Sequence, residues 1–101
     1  MKGPATDAFA QVEEELLRER AAALKRIAET LEELLSGLGA LRALLDRLSG
    51  PERAAQARAY RALGEQARLY RWYLEVQREA LGLRGHDVLD EIYPRPAPIL
   101  D

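Results

Sequence analysis

The chain has 101 residues, 48% of them hydrophobic and 32% charged, which bounds it to one domain with a modest core and a globular or coiled-coil-like composition. It holds no cysteine, so disulfides, thiol catalysis and cysteine metal sites are excluded. Net charge is −2 with a pI near 5.5, and the mixed charge disfavours a nucleic-acid partner.

Ala, Leu, Glu and Arg dominate, while β-branched and aromatic residues are few. That mixture favours long helices and argues against a sheet. Asparagine is absent and arginine far outnumbers lysine, which fits a thermophilic or GC-rich bacterial source. No apolar run approaches the ~20 residues needed to span a bilayer, and Met1-Lys2-Gly3-Pro4 lacks the apolar core of a signal peptide. A cytoplasmic protein with no membrane contact is expected.

The first predicted element is a helix over about residues 7–48, capped by Thr6 or Asp7. Leu17, Leu24, Leu31, Leu38 and Leu45 recur every seventh residue, and Ile27, Leu34, Leu41 and Leu48 lie between them. This three-four alternation is a coiled-coil seam. Leu16, Leu35 and Leu44 widen it, which favours a bundle with more than one neighbour over a two-stranded zipper. Ser36, Gly37 and Gly39 interrupt the good helix formers, each glycine costing roughly 1 kcal/mol in a helix interior. The leucine phase is unbroken across them, so continuity is favoured over a third short helix at 40–48.

A break at Ser49-Gly50-Pro51-Glu52 turns the chain into a helical hairpin. Ser49 and Glu52 have capping-box spacing, and Pro51 suits a first turn. A second helix follows over about 51–82. Tyr60, Leu63, Ala67, Tyr70, Leu74 and Leu81 form one stripe, with Gln77 inside it. Ala62, Leu69, Tyr73, Val76 and Ala80 form an adjacent stripe, with Trp72 at its margin. Together they cover about 200° of arc, against ≳100° for an ordinary surface helix. The first helix alone cannot cover that, and its own residues 7–17, with Phe9, Val12 and Leu16, are expected to run past the end of the second helix. The predicted fold is therefore an all-α, long antiparallel helical hairpin, with a short helix at about 86–93 and a Pro-rich tail at 94–101, dimerising into a four-helix bundle. A second hairpin or the C-terminal segment would cover the excess of the first helix.

Gly82 and Gly85 end the second helix. In the short helix Val88, Leu89 and Ile92 are expected to face inward. Pro94, Pro96 and Pro98 then impose an extended segment, closed by Ile99 and Leu100, apolar residues suited to docking. Charge is unevenly placed. Residues 51–84 carry seven basic and four acidic side chains, and residues 85–101 carry one and four. The acidic end therefore suits the basic second helix of its own chain or of a neighbour.

The segment from Val76 to His86, VQREALGLRGH, resembles the V-Q-R-E-A-x-G-L-R-x-H signature of a family of small helical bacterial proteins of unknown function. Tyr93 and Pro94 match a tyrosine and a proline that follow it, and Glu19 to Leu24 is similar to an E-[RK]-A-A-x-L stretch. The resemblance implies an all-helical fold and carries no activity. Pro-Arg-Pro-Ala-Pro after the tyrosine departs from the pattern.

No nucleophile-plus-base set and no glycine-rich phosphate loop is present, so no enzyme, catalytic residue or cofactor is indicated. Four residues show more specific promise as an interface: Leu69, Trp72, Tyr73 and Val76, where aromatics stand beside aliphatics at helical spacing. Gln77, Arg78, Arg84, His86 and Asp87 gather polar groups near the end of the second helix. They form either a recognition patch for an anion or carboxylate or an architectural cap, with Arg84 and His86 on the last carbonyls and Gln77 setting register. The architectural reading is favoured. His86 and Asp90, four apart, are two potential metal ligands but not a metal site. Arg61, Arg68, Arg71 and Arg78 share an arc with Glu65, Glu75 and Glu79 at pairing distance, the ordinary state of a solvated face. A self-associating, non-catalytic interaction protein is thus expected, with a ligand- or nucleic-acid-binding regulator as the alternative.

Overall fold

The computed structural model describes residues 4–99, with side chains from Asp7 onward. Three helices follow in order: α1 (Pro4–Leu45), α2 (Gly50–Ala80) and α3 (Asp87–Ile92). No strand occurs among the described residues. The two long helices pack against each other as a hairpin, in a rod of 74 × 22 × 15 Å.

α1 is one unbroken helix of 42 residues, so it runs through Gly37 and Gly39 as the leucine phase required. Its seam supplies most of the core. Leu31, Leu38 and Leu45 are buried, with Leu24, Ile27, Leu34, Leu35 and Leu41 packed around them. From α2 come Ala57, Tyr60, Ala67 and Leu74, flanked by Leu63 and Tyr70. The first stripe of α2 therefore meets α1. Gly37 is where the helices approach closely: a Cβ there would lie 3.3 Å from Leu63 Cδ2, whereas one at Gly39 would meet nothing within 4 Å.

The connection is longer than the heptads suggest. α1 stops at Leu45, not Leu48, because two 3₁₀-type bonds, Arg47 N to Leu44 O at 2.9 Å and Leu48 N to Leu45 O at 3.2 Å, close its last turn. Gly50 then takes φ +60°, a conformation open to glycine at little cost. Ser49 occupies the N-cap position of α2, but its side chain makes no capping hydrogen bond, so the expected capping box does not form. At the other end of the chain α1 is already helical at Pro4, which places Thr6 and Asp7 inside the helix and not at its cap.

α2 ends in a Schellman motif. Leu83 N bonds Arg78 O and Gly82 N bonds Glu79 O, both at 2.9 Å, with Gly82 at φ +82°. Gly85 follows at φ +80°, and the chain turns into α3. Of the three residues expected to face inward there, only Leu89 is buried; Val88 and Ile92 are exposed. Val88 and Ile92, four apart, share a side of α3 that is turned to solvent, while Leu89 is turned to the core. Residues 93–99 then run back along the hairpin, and Ile99 packs against the core. Leu100 lies outside the described residues.

Arg20 Nη1 lies 3.4 Å from Ala80 O, which marks where α2 ends along α1. The residues before it project past α2 by roughly 24 Å at ~1.5 Å per residue. Phe9, Val12, Leu16 and Leu17 on that projection are exposed. The C-terminal segment leaves them bare, because it folds toward the hairpin turn.

Gly39→Ala is expected to raise unfolding stability by about 0.5–1 kcal/mol, since it improves helix propensity with no steric cost. Gly37→Ala should gain less or lose stability, because Leu63 must move. Urea denaturation of both variants compares the two directly.

Candidate functional site

The face that carries candidate function is built where α2, α3 and the segment after α3 converge. Arg71 is its hub. The side chain is only 14% exposed, which a place on a solvated arc did not lead us to expect. It donates to Asp90 Oδ1 at 2.9 Å and lies 3.3 Å from Glu75 Oε1. It also reaches the carbonyl oxygens of Tyr93 at 3.4 Å and His86 at 3.5 Å. One guanidinium thus ties α2 to both ends of α3, using the several donors of its planar fork. A signal for this existed: Arg71 is four residues from Ala67, so it borders the buried stripe.

Further along, residues 93–99 are held by their carbonyls. Tyr60, buried in the core, donates its hydroxyl to Ala97 O at 2.6 Å. Arg42 of α1 donates to Ala97 O at 3.3 Å and Pro98 O at 3.4 Å. Between this segment and α2 lies a groove of about 640 Å³, whose walls include Gly64, Arg68, Trp72 and Pro96. Tyr93 closes one end. Its hydroxyl is 3.5 Å from Glu32 Oε1, and burial, reinforced by the charge and hydrogen bond of Glu32, raises its pKa above the ordinary 10.0.

The polar residues grouped by sequence divide between two surfaces. Gln77 lines a shallow recess with Glu19, Arg20, Ala23 and Arg26 of α1. Arg78 turns the other way and donates to Gly85 O at 3.2 Å. His86 Nε2 meets Glu79 Oε1 at 3.1 Å, and Asp87 stands exposed in the first turn of α3. Arg84 is exposed on the loop. The final carbonyls of α2 are closed by the backbone of Gly82 and Leu83, not by Arg84 or His86. Arg71 Nε, Arg78 Nε and His86 Nδ1 are buried with no hydrogen-bond partner, although Arg71 Nε retains its ion pair with Glu75. His86 and Asp90, weighed as metal ligands, engage different partners, and no cluster of three potential ligands exists among the described residues.

The apolar candidates are more uniform. Leu69, Trp72, Tyr73 and Val76 are 45%, 57%, 37% and 40% exposed. The rings of Trp72 and Tyr73 lie 5.6 Å apart, and Tyr73 sits edge-on to Tyr70 at 5.5 Å, so the aromatics brace one another into a ridge. The second stripe of α2 is therefore an exposed apolar surface that α1, α3 and residues 93–99 all leave open. No helix among the described residues is long and apolar enough to cross a membrane.

No known family, curated protein or solved structure matches this chain. Its functional reading rests on the geometry just described.

Arg71→Lys keeps the charge and loses the fork. It is expected to lower the free energy of opening residues 87–93 by roughly 1–3 kcal/mol, seen as faster amide exchange there with α1 and α2 unchanged. Tyr93 sets a pH dependence of definite sign. With its folded pKa raised, the folded chain holds that proton more tightly than the unfolded chain. Its contribution is therefore complete below pH 10.0 and declines as pH rises through the folded value. Tyr93→Phe should flatten that part of the stability–pH curve; an unchanged slope would assign it to other groups.

Proposed function

We propose that the protein is a non-catalytic, self-associating helical scaffold, cytoplasmic and most simply dimeric, in which two hairpins pair into a four-helix bundle and act through the assembled surface. The observation that carries this reading is the exposed ridge of Leu69, Trp72, Tyr73 and Val76. Scattered surface leucines are normal, but a contiguous aromatic and aliphatic stripe marks an interaction surface. The bare extension of the leucine seam at Phe9, Leu16 and Leu17 supports the same conclusion, since a hairpin whose longer helix has no neighbour for its first turns has apolar surface to cover.

The alternative, a regulator binding an anionic ligand or nucleic acid through the arginines of α2 and the Gln77–Asp87 patch, has less support. Arg68 is ion-paired with Glu65 at 3.2 Å, Arg71 with Glu75 and Asp90, and Arg78 is engaged by Gly85 O. Phosphate binding would have to displace these partners. The resemblance of residues 76–86 to a bacterial helical family adds no chemistry to either reading.

The double variant Trp72→Ala/Tyr73→Ala is expected to weaken the dimer at least tenfold while helicity is retained. Assembly should respond little to salt, whereas phosphate binding would weaken steeply with it. An unchanged dimer constant in the variant removes this ridge as the interface.

A further inference from the structure

We propose that the seat on α1 and α2 where residues 93–99 lie, one wall of the groove, is a docking site for the same segment of a second copy, so that two chains can exchange their proline-bearing segments. This rests on the self-association reading, because a second copy must stand close by.

Prolines at 94, 96 and 98 delete three amide donors, leaving a strip of carbonyl acceptors and apolar rings. The groove is complementary: Tyr60 and Arg42 donate to Ala97 O, Arg42 also to Pro98 O, and Arg71 to Tyr93 O. Donors against carbonyls beside an aromatic wall, here Trp72, is how stiff proline-rich segments are recognised, and their rigidity keeps the ordering cost low. Long-range charge agrees. Residues 51–84 carry an excess of basic side chains and residues 85–101 an excess of acidic ones, and that attraction is the same within a chain or between two.

The segment is tethered through residues 81–86, where Gly82 and Gly85 adopt positive φ and can change backbone region at little steric cost. Leu89 of α3 is buried and Tyr93 and Ile99 pack against the core, contacts that the same residues of a second copy would re-form. Each hydrogen bond given up within one chain is re-formed between the two, which is why exchange of an identical element is a low-cost route between copies. Trp72 belongs both to the wall of this groove and to the exposed ridge. A copy seated on that ridge therefore stands at the mouth of the groove, where its effective concentration is high.

The test uses full-length chain with p-benzoylphenylalanine in place of Arg95, an exposed residue lining the groove. Nitrogen-15-labelled and unlabelled preparations are mixed, equilibrated and irradiated, and the cross-linked peptides are weighed. Exchange is expected to yield cross-links of mixed isotope composition onto the Tyr60–Gly64 stretch, approaching half of the total. Cross-links of uniform composition only would overturn it. Native mass spectrometry of the same mixture separates the two proposals. A dimer with uniform cross-links removes exchange and leaves the self-association reading intact. Mixed cross-links, from a chain whose dimer is unaffected by Trp72→Ala/Tyr73→Ala, leave exchange standing and remove the ridge.

Discussion

The tight turn between Leu45 and Gly50 sets the register of two helices that differ in length by about three turns of helix, and the rest of the molecule follows from that mismatch. With the turn fixed, the buried stripe of α2 meets the leucine seam of α1 from Leu24 to Leu45, and there α2 ends. The seam does not end. Its earlier members, Leu17 among them, continue into solvent with the same spacing that buries Leu31 to within 1%. What decides burial is the length of the partner, not the local pattern.

The same constraint explains the treatment of α2. A helix with one neighbour can bury about a third of its circumference, and α1 takes the stripe of Tyr60, Ala67 and Leu74. Residues after α2 take the adjoining arc through Arg71, Asp90 and the carbonyls of residues 93–99. The arc of Leu69, Tyr73 and Val76 has no such cover. Residues 87–99 are attached by directional polar contacts together with buried Leu89 and with Tyr93 and Ile99 packed against the core. Polar attachment of this kind fixes position at small net free energy, which makes this region the least costly part of the fold to open.

Much of this was legible in the residues. Heptad phase carried α1 across Gly37 and Gly39, because a helix keeps its phase only if it does not break. Two stripes on α2 were visible because a periodicity of 3.6 separates faces cleanly. Glycines at 82 and 85 marked the end of α2 for a stereochemical reason, and both adopt positive φ. What periodicity missed lies in contacts between distant residues. Arg71 read as one of several surface arginines although it borders the buried stripe, because its burial depends on α3 folding back over it. Ser49 and Glu52 have the spacing of a capping box without its hydrogen bond, because spacing does not specify a side-chain rotamer. Val88 and Ile92 were expected inside, but the rotation of α3 about its axis, which sequence spacing does not specify, turns Leu89 to the core and their shared side to solvent. The candidate interface was legible as an apolar surplus, while the groove that grips residues 93–99 was not, because Tyr60, Arg42 and Ala97 have no sequence proximity.

The proposed cover for the apolar arc that the hairpin leaves open is a second copy of this chain. Sedimentation velocity of the unmodified protein over a dilution series, repeated at low and high salt, tests it most directly. A dimer that dissociates only at high dilution, with a constant nearly indifferent to salt, is the result this account requires. A monomer at every concentration, with the same helical content, would contradict it.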